Sequence, residues 1–405
     1  MTALPVSIVI ASRGRPGELR RCLIAVSQLA YPNFEVIVVA DPAGLAVAQA
    51  FPVRAVACDR PNISVARNLG IAAAAGAVVA FIDDDAVPEP LWLRHIAEPF
   101  DCPEVAAAGG VVLGRNGISL QWQSGTVDRL LRVGPLPVPS DQPSRHRAQP
   151  GCAVEIKGVN CAYRRSVLAA LGGFDPELRY YLDETELNLR LAALNKVTVI
   201  VPRARVHHGK AASEVRRADR APLSLWDVGA SSAVTLRRHG ATAAEVAAAQ
   251  GALQAAERGK LNALMTDGKI GPPDVDRLMR SLAEGFADGM ARNLGPLAPL
   301  PEAEPRLFQL FQQVTRHQVI LSGRAWSSRR LHSAARELAG EGAIVRLFLF
   351  SPTAHYHRVG FCDDGYWVQT GGLFGKSLRT DKLFHMWRFR SRLGREIALW
   401  GDNFR

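Results

Sequence analysis

A chain of 405 residues, 48% hydrophobic and 21% charged, has the composition of a folded globular protein rather than a disordered one, and its length allows two or three domains. Its longest apolar run, Ile71 to Ile82, is far short of the ~20 residues a membrane span needs, and the N-terminus lacks the basic region, apolar core and cleavage site of a signal peptide. The formal net charge of +11, carried mostly by arginine, points to an anionic partner such as nucleotide phosphates, anionic lipid or nucleic acid, or else to a solvated basic surface.

In chain order, Pro5 to Ala11 reads as a first buried strand, followed by the loop Ser12-Arg13-Gly14-Arg15-Pro16. Gly17 to Leu29 has helical periodicity through Leu19, Cys22, Leu23 and Val26. Phe34 to Ala40 is a second strand ending at Asp41. Strand, helix and strand with short connections form a βαβ unit and predict a parallel sheet. Arg13 and Arg15 are placed to bind a diphosphate, and Asp41 to accept a hydrogen bond from a base or ribose; each also reads as a loop charge or a helix cap. Val65 to Ala75 is an alanine-rich helix with Arg67 near its start and Gly76 as its stop.

The apolar run Gly76 to Ile82 then leads straight into Asp83-Asp84-Asp85. Three adjacent acids repel one another unless a cation joins them, and at the carboxyl end of a parallel strand they lie where open α/β sheets bind ligands. Hard ions such as Mg²⁺ or Mn²⁺ suit such oxygen ligands. Val111 to Leu113 is a further strand. Gly134 to Pro150, rich in Pro, Ser, Gln and Arg, reads as a long mobile loop. After Lys157 to Arg165, a helix from Ser166 to Leu171 and the turn Gly172-Gly173-Phe174-Asp175, a second helix opens at Asp183-Glu184. Leu187, Leu191 and Leu194 share its apolar face, and Glu186 and Arg190 are spaced for an ion pair. Val197 to Val201 is a strand, and His207-His208 after it can complete a metal site begun by the aspartates. The six cysteines include no Cys-x-x-Cys pair, so buried free thiols in a reducing cytoplasm are expected.

The order of these motifs resembles the family-2 inverting glycosyltransferases of GT-A fold, over residues 5 to about 213. The matching pieces are Val6 to Ile10, Val36 to Asp41, Ser64 to Gly70, Phe81 to Asp85, Gly158-Val159-Asn160, Gly172 to Asp175, Asp183-Glu184 and Val206 to Gly209. The resemblance implies a UDP-, GDP- or dTDP-sugar donor, Mn²⁺ or Mg²⁺, and a glycan or lipid-linked acceptor, with surface polysaccharide or glycoconjugate synthesis as the setting and no nucleic acid partner. It implies donor binding by Ser12, Arg13, Arg15, Asp41, Arg67, Asn68, Asp83 and Asp84, and metal binding by Asp83, Asp85 and one of His207 and His208. The family's doublet is Glu-Asp with the second acid as general base; here it is Asp183 then Glu184, so Glu184 is the expected base and Asp183 its rival or a helix cap. A catalytically inactive relative acting as a scaffold and a nucleotidyltransferase on a similar fold are the competing readings; the latter calls for a glycine-rich loop after the first strand, where this chain has only Gly14.

Beyond the resemblance, Ala241 to Leu264 and Pro272 to Asn293 read as helices and Gly295 to Pro305 as a linker. Gln318 to Leu321, Ser327 to Ala339 and Ile344 to Phe350 predict a small α/β module, and Phe361 to Val368 a hairpin turning at Asp364-Gly365. The basic stretch Leu383 to Arg395, with Phe384, Trp387 and Phe389 interleaved, suits a packed terminal helix or contact with a membrane surface, the latter at the inner face of the membrane. The expected organisation is a glycosyltransferase domain over 1–220, a helical region over 221–300 and a C-terminal module over 301–405.

Overall fold

The structure, a computed structural model, describes residues 3–209, 211–301, 304, 307–312, 316–378 and 380–401. It opens with β1 (Val6–Ser12), α1 (Pro16–Val26), β2 (Phe34–Ala40), α2 (Pro42–Ala48), β3 (Arg54–Ala57), α3 (Ile63–Ala73) and β4 (Val78–Ile82). β2 and β4 are buried along their whole length and β1 almost so, as uninterrupted apolar strands of a two-sided parallel sheet must be. Asn62 caps α3 by accepting from the Val65 N–H at 3.0 Å. After β5 (Ala86–Pro88) and α4 (Trp92–Ala97) come β6 (Val105–Leu113), β7 (Leu120–Trp122), β8 (Thr126–Asp128), β9 (Val133–Gly134), β10 (Ser144–Arg147), β11 (Cys152–Val154) and β12 (Asn160–Arg164). Helices α5 (Arg165–Ala170) and α6 (Asp183–Ala192) and the long strand β13 (Val197–His208) follow.

The main sheet runs β10-β13-β6-β12-β4-β1-β2-β3, with β5 added on β13 and β7 on β6. β3, β2, β1 and β4 are mutually parallel; β12 inserts antiparallel, and β6 and β13 are parallel to each other. This is the mostly parallel α/β sheet the sequence predicts. Asn160, fully buried, staples the inserted strand in place. It donates to the carbonyls of Val111 and Ala204 at 2.9 Å and accepts from Trp92 Nε1 at 2.7 Å. Residues 134–150 are not the open loop expected from their composition. Ser144–Arg147 forms an edge strand on β13, and Leu136 and Val138 pack against the core beneath the sheet. Leu194 also departs from expectation: it lies beyond the end of α6 and is exposed, whereas Leu187 and Leu191 are buried.

Helices α7 (Trp226–Arg238), α8 (Ala243–Thr266) and α9 (Pro272–Ala291) form the helical region. Thr242 and Glu245 cap α8 reciprocally. α7 and α9 cross at Gly229, Gly285 and Gly289, where an added Cβ would overlap backbone of the facing helix; at Gly285 it would meet the Trp226 carbonyl. Gly285→Ala is therefore expected to cost about 1–3 kcal/mol, because two packed backbones must part. Chemical denaturation checks this, and a midpoint equal to wild type would mean that the helices separate freely.

The C-terminal segment contains β14 (Gln318–Arg324), α10 (Ser328–Gly340), β15 (Ile344–Ser351), β16 (Arg358–Phe361), β17 (Trp367–Gly372) and α11 (Phe389–Gly401). Its sheet runs β14-β15-β17-β16, with β16 antiparallel. The β16–β17 hairpin turns at Gly365, whose φ of 88° suits glycine, and Asp363 and Asp364 bind Arg21 and Arg336 rather than forming a second acidic site. This sheet docks behind the main one: Trp367 packs with Ala25 and Val87, and its ring lies 4.9 Å from that of His207. All six cysteines are free, and among the described residues no helix is long and apolar enough to cross a membrane.

Candidate active site

The carboxyl ends of β1, β4 and β13 converge on the acidic triplet. Asp84 is fully buried; its carboxylate takes the Ser12 hydroxyl at 2.7 Å and Arg15 at 2.7 Å. Burial pushes its carboxyl up to about 7 against the pull of Arg15 and Ser12. It therefore fastens the first loop to the sheet. Asp83 and Asp85, on either side, converge with His208, and one ligand atom from each of the three lies within 4.8 Å of the others. His208 Nε2 is 3.2 Å from Asp85 Oδ1, and its Nδ1 is 2.9 Å from the Gln121 amide. The Ala211 N–H also binds Asp85, at 2.7 Å. Burial works against the Asp85 charge, yet His208, Arg15 and Ala211 together hold its carboxyl well below the usual carboxylate range. Two carboxylate oxygens and one imidazole nitrogen suit Mn²⁺ or Mg²⁺.

Alternation along β13 separates the two histidines. His207 points to the far side, where its Nε2 is 3.1 Å from Glu89 and its ring rests on Trp367. It cannot join Asp83 and Asp85, so of the two expected metal ligands only His208 faces them.

Arg67 is buried and divides its guanidinium between Asp183, in a close ion pair, and Asp83 at 3.1 Å. It lies 5.2 Å from the Phe174 ring centroid, and Gly158 leaves room for it: a Cβ there would come within 2.6 Å of Nη1. Asn68, expected at the donor, instead clamps the Phe174 backbone, donating to its carbonyl at 2.7 Å and accepting from its N–H at 2.8 Å. Asp41 also has local partners. It accepts from Gly44 N–H, capping α2, and from Gly14 N–H, both at 2.9 Å. Arg13 reaches Asp59 and Glu214, and Arg13 and Glu214 line a smaller cavity of about 170 Å³.

Helix α6 begins after two bulky residues in left-handed backbone, Tyr181 at φ 73° and Leu182 at φ 63°. Such strain is of the order of 1–3 kcal/mol per residue and persists only where the surroundings impose it. Here the Ser231 hydroxyl of α7 binds the Tyr180 carbonyl at 2.8 Å. Asp183 caps nothing; it is held by Arg67, while burial pushes its carboxyl up. Glu184 faces the cleft, 3.9 Å from Lys157 Nζ. Lys157 in turn pairs with the buried Glu155 and lies 4.6 Å from the centre of the Trp122 ring. Burial lowers its basicity, but Glu184 and Glu155 more than offset this and hold it as the ammonium ion.

The largest group of these side chains opens on a cavity of about 960 Å³. Asp83, His208, Arg15, Arg67 and Glu184 line it together with the apolar Leu130, Leu131, Leu236, Leu253 and Phe286. Ala248, Ala252 and Ala256 of α8 add an exposed wall. Sequence reading missed Gln121, Glu155, Lys157 and this helical wall. Alternation of Glu155 and Lys157 just before Gly158 was the one available signal; nothing local marks Gln121.

Residues 7–172 match the sequence profile of a family described as Glycosyl transferase family 2. No curated protein matches the chain. Among solved structures, the chain is similar to the crystal structure of GalNAc-T7 with UDP, GalNAc and Mn2+, at 17% identity and a TM-score of 0.46. That overlap covers 58% of this chain and 47% of the other, under half of its length. It is also similar to the mannosyltransferase PcManGT from Pyrobaculum calidifontis in complex with GDP-Man and Mn2+, at 16% identity and a TM-score of 0.41, covering 71% of this chain and 87% of that one. TM-scores this low describe partial overlap and carry no weight for the chemistry.

Proposed function

We propose that this chain is a family-2 glycosyltransferase, since residues 7–172 match that family's profile on a mostly parallel α/β sheet, and that it carries out a metal-dependent, inverting transfer of a sugar from a nucleotide-sugar to an acceptor hydroxyl. The observation that carries this reading is that Asp83, His208 and Glu184 line the same cavity, with Asp85 completing the ligand group. Asp83, Asp85 and His208 would hold Mn²⁺ or Mg²⁺, which when bound would offset the charge gathering on the departing diphosphate. Arg15, which lines both cavities, adds a fixed positive charge beside that group. The smaller cavity beside Ser12, Arg13 and Cys58 would take the nucleoside.

Glu184 is the carboxylate best placed to take the acceptor's proton, since Asp183 is locked on Arg67 and Glu155 on Lys157 and Thr185. One base acting on an incoming hydroxyl suits direct displacement, and hence inversion. A glycan or lipid-linked acceptor, as in surface polysaccharide or glycoconjugate synthesis, fits a cleft that pairs charged groups with apolar side chains. Calorimetry with UDP and with GDP in the presence of MnCl₂ tests the metal requirement: binding is expected with Mn²⁺ and should vanish on adding EDTA. Nucleotide binding that EDTA leaves unchanged would count against the metal site.

A further inference from the structure

The C-terminal segment presents a surface that the transfer reaction does not explain. Residues 382–386, Lys-Leu-Phe-His-Met, are exposed one after another. Leu383 is 68% exposed, Phe384 53% and Met386 74%. Water-facing apolar side chains of this size, side by side, mark an interaction surface. The loop is tethered at both ends. The His385 N–H binds the Phe374 carbonyl at 3.1 Å, the Phe384 ring sits 5.4 Å from that of Phe374, and the His385 ring stacks on Trp387 at 4.3 Å. Upstream, Asp381 takes the N–H groups of Ser377 and Leu378 at 3.0 and 2.9 Å. Tyr356, 62% exposed, lies beside Lys376.

The charge around these side chains is of one sign. Between Lys376 and Arg395 the sequence has a single acid, Asp381, and Arg395 neutralises it. Lys382, Arg388 and Arg390 remain exposed. Helix α11 is not the surface in question: Leu393 and Ile397 pack inward with Phe348, Phe350 and Leu373. The amphipathic stretch seen in the sequence thus divides into a packed helix and a loop that holds its apolar side chains outward.

We infer that the loop 382–386 docks on an anionic lipid bilayer, with Leu383, Phe384 and Met386 entering the interface and Lys382, Arg388 and Arg390 meeting the head groups. Apolar groups rimmed by cations are what such an interface accepts. The inference does not depend on which sugar or acceptor the cleft takes.

Full-length protein is centrifuged with phosphatidylcholine vesicles, with and without phosphatidylglycerol. Sedimentation with the phosphatidylglycerol vesicles is expected, weakening as salt rises. The triple substitution Leu383→Ser, Phe384→Ser, Met386→Ser should reduce partitioning about tenfold or more. A second variant, Lys382→Glu, Arg388→Glu, Arg390→Glu, should lose the preference for phosphatidylglycerol while still binding nucleotide and Mn²⁺ as wild type does. Equal sedimentation of wild type and the triple serine variant would overturn the inference. So would a wild type that ignores both kinds of vesicle, or a loop whose substitution changes only the oligomeric state measured by light scattering.

Discussion

Glu184→Gln is expected to lower turnover by about a hundredfold or more while leaving donor binding near wild type. Glutamine keeps the length of the side chain, but it cannot take a proton. The mount is rigid: Leu187 and Leu191 bury the helix face behind it, and Tyr181 and Leu182 enter the helix in left-handed backbone held by α7. Asp83, Asp85 and His208 lie on other elements, so the donor end should be unaffected. Steady-state kinetics, with a donor found by screening nucleotide-sugars in a Mn²⁺-dependent thermal shift assay, gives both quantities. Near wild-type turnover in Glu184→Gln, with turnover lost in Asp183→Asn, would move the base to Asp183.

The second large effect is on stability. Arg67→Met should destabilise the fold by about 3–5 kcal/mol, because Asp183 would be left buried and uncompensated. Methionine fills much of the space between Phe81 and Phe174, so lost volume is a minor part of the effect. Arg67→Lys should recover little, since one ammonium cannot serve Asp183 and Asp83 in the two directions a guanidinium does. Adding Asp183→Leu to Arg67→Met should restore part of the stability by removing the orphaned charge. Urea unfolding of the four proteins is the measurement. An Arg67→Met variant within about 1 kcal/mol of wild type, the range of an exposed pair, would show that the ion pair is not isolated from water.

The first half of the fold was legible because its strands are two-sided. Val36 to Ala40 and Val78 to Ile82 have no polar side to disguise them. Edge pairing was not legible. Ser144 to Arg147 is Ser-Arg-His-Arg, and only the neighbouring β13 makes it a strand. β13 itself runs through Pro202 to His208, past the break that its proline and irregular register suggest. The acidic triplet suggested a cation site, but not that its middle residue is buried to fasten Ser12 and Arg15. Asp41 and Asn68 sit in matching motifs, yet their side chains serve a helix cap and a turn. Polar side chains at motif positions reveal their partners only once the backbone N–H groups around them are placed. The wall of the cleft was invisible for another reason: an alanine-rich helix looks the same whether its small residues face solvent or a substrate.

That wall has a consequence for how the chain can change over generations. The groups proposed to act lie on residues up to His208, while Ala248, Ala252 and Ala256 stand on α8, exposed and one helical turn apart. A larger side chain at any of them meets no packed neighbour, narrows the cleft, and leaves Asp83, Asp85, His208 and Glu184 where they are. Under the function proposed above, preference for one acceptor over another can therefore drift by single substitutions on α8, under selection that never has to rebuild the chemistry.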